Sequence, residues 1–156
     1  MTGSAHDAIQ YSFRLLACRA RSEKELRERL LRKGFGEAAA EAAVARLKQS
    51  GFLDDALLAD QLKRQANERK LLGISGTRLF LRKRGIAEEI IDGTLAYDEE
   101  QEVDTARRLL QKRVRVAGAP ASPADRNRLY QFLARRGYAS DIIRRVLREY
   151  DIGEEE

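Results

Sequence analysis

One short pattern occurs three times and limits the fold more than any other feature: "LLRKGF" at Leu30 to Phe35, "LRKRGI" at Leu81 to Ile86 and "LARRGY" at Leu133 to Tyr138. The glycines Gly34, Gly85 and Gly137 stand 51 and 52 residues apart. Self-similarity at a fixed period of this length marks a repeat architecture. The residues after each glycine align without a gap. They bring Ala39, Ala40, Ala43 and Val44 into register with Ile90, Ile91, Thr94 and Leu95, and with Ile142, Ile143, Val146 and Leu147. Mostly apolar pairs spaced four apart describe a helix buried along one stripe.

The pattern reads chiefly as a helix stop. A glycine just past a helix takes the left-handed conformation at no steric cost, and the apolar residue after it (Phe35, Ile86 or Tyr138) folds back onto a leucine of the last turn (Leu30, Leu81 or Leu133). The basic pairs Arg32 and Lys33, Lys83 and Arg84, Arg135 and Arg136 then lie at the negative end of the helix dipole. Arg82 is the one part of the pattern that a helix stop does not need.

Two further helices complete each repeat. Ile9, Phe13, Leu16, Ala17 and Ala20 form an apolar stripe, and "SEKEL" at Ser22 to Leu26 is a capping box that starts the next helix. "GFLDD" at Gly51 to Asp55 ends one helix, with Leu47 and Phe52 as the folding-back pair, and starts another with an aspartate cap. That helix is expected to reach Leu72 and to be broken by "GISG" before Thr77. Further on, Val103, Ala106, Leu110, Val114 and Ala117 form a stripe, "GAPASP" is a loop, and Ser122 with Pro123 opens the following helix. No run of β-branched residues alternates with polar ones, so no strand is expected. The expected fold is all-α, with three tandem three-helix repeats forming an elongated, curved array. Residues 1–7 are read as a flexible tail, 8–52, 53–97 and 98–150 as the repeats, and 151–156 as an acidic tail.

Composition narrows the function. The chain has 156 residues, one cysteine (Cys18) and one histidine (His6), the latter read as lying in the frayed tail, so neither an internal disulfide nor a zinc-type cluster is available. Cys18, next to the apolar stripe, is read as partly buried rather than reactive. No basic start precedes an apolar run, and no stretch of 18 apolar residues occurs, which points to a cytoplasmic protein without a membrane span. The acidic residues cap helices or lie among lysines and arginines, so no catalytic residue is expected, and no cofactor or metal site. Asp54 and Asp55 are explained as an N-cap. "GISG" lacks the spacing and the lysine of a phosphate loop. Among the aromatics, Phe13, Phe35, Phe52, Phe132 and Tyr138 fall on core or cap positions, which leaves Tyr97, Tyr130 and Tyr150 as weak platforms for base stacking.

The exposed remainder is basic. Between Thr105 and Arg148 stand 12 Arg or Lys against Asp125 and Asp141 alone, flanked by two acidic clusters. Arg108, Lys112 and Arg115 face away from Leu110 and Val114, and Arg144, Arg145 and Arg148 face away from Ile142 and Val146. With Arg82 and Lys83 they are the candidate contacts to a polyanion or an acidic protein surface. A helix-turn-helix DNA reader is the alternative, but Glu37, Glu88, Glu89 and Asp141, at the starts of the helices after the stops, would repel phosphate.

"SEKELRERLLRKGF", "GFLDD" at its junction, "GISGTRLFLRKRGI" and the tandem three-helix units together resemble the RecX family of regulators of bacterial recombination. The likeness covers about Ala8 to Tyr150. It implies a non-enzymatic, all-helical, crescent-shaped protein, expected as a monomer. Such a protein would bind the RecA recombinase filament on single-stranded DNA along its groove and limit filament growth, ATP hydrolysis and strand exchange. Some members also bind DNA. The family has no short motif that marks the contact residues, so the candidates above rest on charge pattern alone.

Overall fold

The computed structural model describes residues 3–150, so the acidic tail read at 151–156 lies outside the described residues. The described residues form nine α-helices and no strand. In order they are α1 (Ala5–Cys18), α2 (Glu23–Lys33), α3 (Glu37–Gln49), α4 (Asp55–Gln65), α5 (Ile74–Lys83), α6 (Glu88–Thr94), α7 (Glu99–Ala117), α8 (Pro123–Arg135) and α9 (Ser140–Arg148), with a π segment at Ala66–Lys70 between α4 and α5.

All three repeated glycines are helix stops. Gly34, Gly85 and Gly137 have φ of 108°, 81° and 93°, and Phe35, Ile86 and Tyr138 donate their backbone N–H to Leu30, Leu81 and Leu133 O at 3.2, 3.1 and 3.4 Å. Each of the three leucines is fully buried. Satisfying the last free carbonyls in this way is what the folded-back residue contributes.

The described residues divide into two compact units, 3–62 with 81–94 and 63–80 with 95–150; the division passes through α4 and α5. In the first unit α1, α2 and α3 pack around Leu15, Leu26, Leu30, Ala43 and Leu47. In the second, α7, α8 and α9 enclose Val103, Leu110, Leu133, Ile142 and Val146. Burying each of these leucine, isoleucine or valine side chains contributes roughly 1.5 to 3 kcal/mol.

Several sequence expectations are corrected. α1 begins at Ala5 on a Ser4 capping box, so His6 is helical and exposed rather than part of a frayed tail. Its inner face carries Ala8, Ser12 and Leu15, whereas Phe13 and Ala17 are exposed and Ala20 lies beyond the helix. The stripe is rotated because Ser12 donates its hydroxyl to Ala8 O at 2.7 Å, and a polar residue so satisfied can occupy the core face. Cys18 is exposed. At Gly51 the N–H of Phe52 bonds Leu47 O at 2.9 Å, yet the ring is 58% exposed and Leu53 takes the buried place. Phe52 instead meets the exposed Phe13 edge-on, at 5.0 Å between centroids.

The reading of "GISG" as a breaker holds only at Gly73. The helical run of α4 continues through the π segment to Lys70, and Leu71, at φ 51°, turns the chain before α5 starts at Ile74. Gly76 is therefore inside the helix, where a Cβ would strike the backbone carbonyl of Arg136. The glycine answers a close approach of two backbone segments, not a break in the helix.

Candidate protein-interaction surface

The basic residue just before the second and third stop glycines has a structural partner. Arg84 donates to Ala20 O at 3.0 Å and to the Glu25 carboxylate at 3.3 Å, which ties the end of α5 to the start of α2 within the first unit. Arg136 donates to Lys70 O at 2.8 Å, and its own carbonyl accepts the Gly73 N–H at 2.9 Å, so the end of α8 is tied to the start of α5 within the second. Lys33, before the first glycine, lies over the Tyr11 ring at 5.3 Å.

Partly buried carboxylates, Asp55 and Glu102, complete both joints. Asp54 caps α4 by accepting the Leu57 N–H at 3.0 Å, while Asp55 accepts the Glu23 N–H of α2 at 3.0 Å. Burial pushes the Asp55 carboxyl above its ordinary value. Glu102 of α7 accepts the Ile74 N–H at the start of α5, and burial raises its carboxyl too. Tyr138 donates its hydroxyl to Leu71 O at 2.6 Å, and burial raises that phenol strongly.

All eight candidate contact residues are exposed. Arg82 pairs with Glu88, Arg108 with Asp104 at 3.2 Å and Arg145 with Glu99 at 3.1 Å. Lys83, Lys112 and Arg115 form no ion pair with a described residue. Exposed pairs of this kind are worth roughly 0 to 1 kcal/mol, so packing makes little use of these cations. Glu37, Glu88, Glu89 and Asp141 are likewise exposed at the starts of their helices, which weighs against phosphate there.

The sequence reading missed a groove between α8 and α9. It encloses about 600 Å³ and is lined by Arg126, Asn127, Tyr130, Arg144, Leu147 and Arg148. Two of these, Arg144 and Arg148, were singled out by charge and Tyr130 as a weak stacking platform; Arg126 and Asn127 became visible only once two helices were placed side by side. Among the described residues no group of three His, Cys, Asp or Glu side chains is placed to hold a metal ion, and no helix is long and apolar enough to cross a membrane.

Fold and surface together define an all-α protein built of three-helix units that presents charge to solvent. Residues 8–47 match the first three-helix domain of RecX and residues 99–147 the third. The chain is 36% identical over 150 residues to the regulatory protein RecX of Amycolatopsis mediterranei, covering 92% of this chain and 85% of that one. It is also 36% identical over 142 residues to that of Deinococcus radiodurans, covering 90% and 67%. The crystal structure of RecX from Lactobacillus salivarius has the same fold, with a TM-score of 0.80 at 21% identity over 95% of this chain and 97% of that one. The chain belongs to the RecX family of regulatory proteins.

Proposed function

We propose that this chain is a non-enzymatic inhibitor of the RecA recombinase in DNA repair and recombination. It binds the groove of the RecA filament on single-stranded DNA as a monomer in the cytoplasm, and limits filament growth, ATP hydrolysis and strand exchange. Three three-helix repeats, 8–52, 53–97 and 98–150, supply the fit. Arg82, Lys83, Arg108, Lys112, Arg115, Arg144, Arg145 and Arg148 supply electrostatic attraction. The observation that carries the reading, beside family membership, is that these eight cations are exposed and little used by the fold.

Charge reversal at Arg108, Lys112 and Arg115 tests it. Because among the described residues only Arg108 of the three forms an ion pair, a surface one to Asp104, helicity and melting should stay nearly unchanged. Inhibition of RecA-driven ATP hydrolysis should weaken, and what remains should respond less to salt. Inhibition equal to the parent's at both low and physiological salt overturns this assignment of the surface.

A further inference from the structure

We infer that the groove between α8 and α9 seats an acidic protein segment that carries a large apolar side chain. The inference rests on the proposed filament binding and names the chemistry of the partner at one part of that surface. Each wall is one helix face: Arg126, Asn127 and Tyr130 come from α8, and Arg144, Leu147 and Arg148 from α9, at helical spacings of three and four. The floor is apolar and fixed. Leu147 is buried, and Tyr130 packs on the second core with its hydroxyl donated to Ser140 Oγ at 2.8 Å, which holds the ring as a wall.

Among the described residues the rim is of one sign: three guanidinium groups line the groove and no carboxylate does. Cations converging over an apolar floor create a positive potential that an incoming anion relieves. The volume falls in the range of roughly 300 to 1,000 Å³ typical of binding clefts.

An acidic segment with an apolar anchor uses all of these features. The anchor fills the floor between Tyr130 and Leu147, carboxylates beside it reach Arg144 and Arg148 of α9, and Asn127 can hydrogen-bond the segment's backbone. A nucleic-acid strand uses fewer of them. Its phosphates would meet the rim, but stacking needs successive aromatic faces, and the floor offers one ring beside an aliphatic side chain.

The test places a photo-crosslinker in the groove, as Asn127→p-benzoylphenylalanine, and irradiates the folded variant with RecA-coated single-stranded DNA. The expected adduct is a RecA peptide in which acidic residues flank a large apolar one. Adding Arg144→Glu and Arg148→Glu should lower its yield at least tenfold, whereas Arg128→Glu, on α8 but outside the groove, should not. An adduct on the DNA overturns the inference in favour of nucleic acid. So does an adduct on a neutral or basic peptide, or a yield that ignores the α9 reversals. No adduct from a variant that still inhibits ATP hydrolysis removes the groove from the interface and leaves the filament reading intact. A parent chain without effect on hydrolysis removes that reading as well.

Discussion

The two compact units use the same joint with different materials. In the first, the end of α5 rests on side chains: a Cβ on Gly85 would lie 2.6 Å from Ser22 Oγ and 3.1 Å from Lys24 Cβ. In the second, the end of α8 rests on backbone: a Cβ on Gly137 would meet the Gly76 nitrogen, with Gly76 Cα 2.6 Å away, and one on Gly73 would lie 2.5 Å from Gly137 O. Glycine ends the helix in both, but in the second unit it also lets two main chains touch. What the neighbour offers, more than the stop itself, sets how strictly glycine is required.

The largest expected effect follows directly. Gly137→Ala adds the left-handed penalty of roughly 1 to 2 kcal/mol and forces two backbones apart, so the loss should reach about 3 kcal/mol or more. Regional hydrogen exchange should show it at α8, α9 and the start of α5. Gly85→Ala pays the same conformational penalty, but its Cβ can be accommodated by turning Ser22 at the expense of a helix cap, for about 2 kcal/mol in all. Exchange at α2 should report that one. If the two substitutions cost the same, the contrast between side-chain and backbone seats is wrong.

A smaller effect probes a feature of the second unit alone. Leu71 is the one non-glycine residue with positive φ among those described, and the Tyr138 hydroxyl holds its carbonyl. Tyr138→Phe keeps the ring and leaves that carbonyl unpaired, which should cost about 1 kcal/mol or somewhat more. Chemical denaturation of the pair measures it. An unchanged midpoint would mean that solvent replaces the hydroxyl and that the turn at Leu71 does not depend on it.

How much of this was legible in the sequence depends on whether local chemistry or a distant neighbour decides the outcome. The stops at Gly34, Gly85 and Gly137 and the capping box of Ser22 with Glu25 were legible because each is settled within six residues. Gly76 was misread because its reason, the carbonyl of Arg136, lies 60 positions away. Ser12 was passed over because a polar side chain signals exposure until its hydroxyl is seen bonded to Ala8 O. Phe52 was placed inside by its type, when Leu53 could fill the same space. The exposed basic stripes followed from helical period alone. The groove did not, since its walls come from two helices and no periodicity of one helix contains the other.

The smallest expected effect asks whether the two joints share their electrostatics despite their different seats. In each, a partly buried carboxylate from another helix caps the helix start: Asp55 takes the Glu23 N–H in the first unit, and Glu102 takes the Ile74 N–H in the second. Burial raises both pKa values above the ordinary 3.8 and 4.5. A carboxyl that holds its proton more tightly when folded makes stability fall as pH rises from the ordinary value through the raised one, and above that the cost is fully present. Asp55→Asn and Glu102→Gln keep an oxygen to accept the backbone N–H and remove the charge. Each variant should therefore gain on the parent as pH rises from about 4 to 7, by a small amount because solvent still screens both groups. Melting followed against pH should show the gain, with exchange locating it at α2 for Asp55→Asn and at α5 for Glu102→Gln. If one variant gains and the other loses, the ionised hydrogen bond outweighs burial in one joint only, and the two units differ in charge as well as in the surface that meets the glycine.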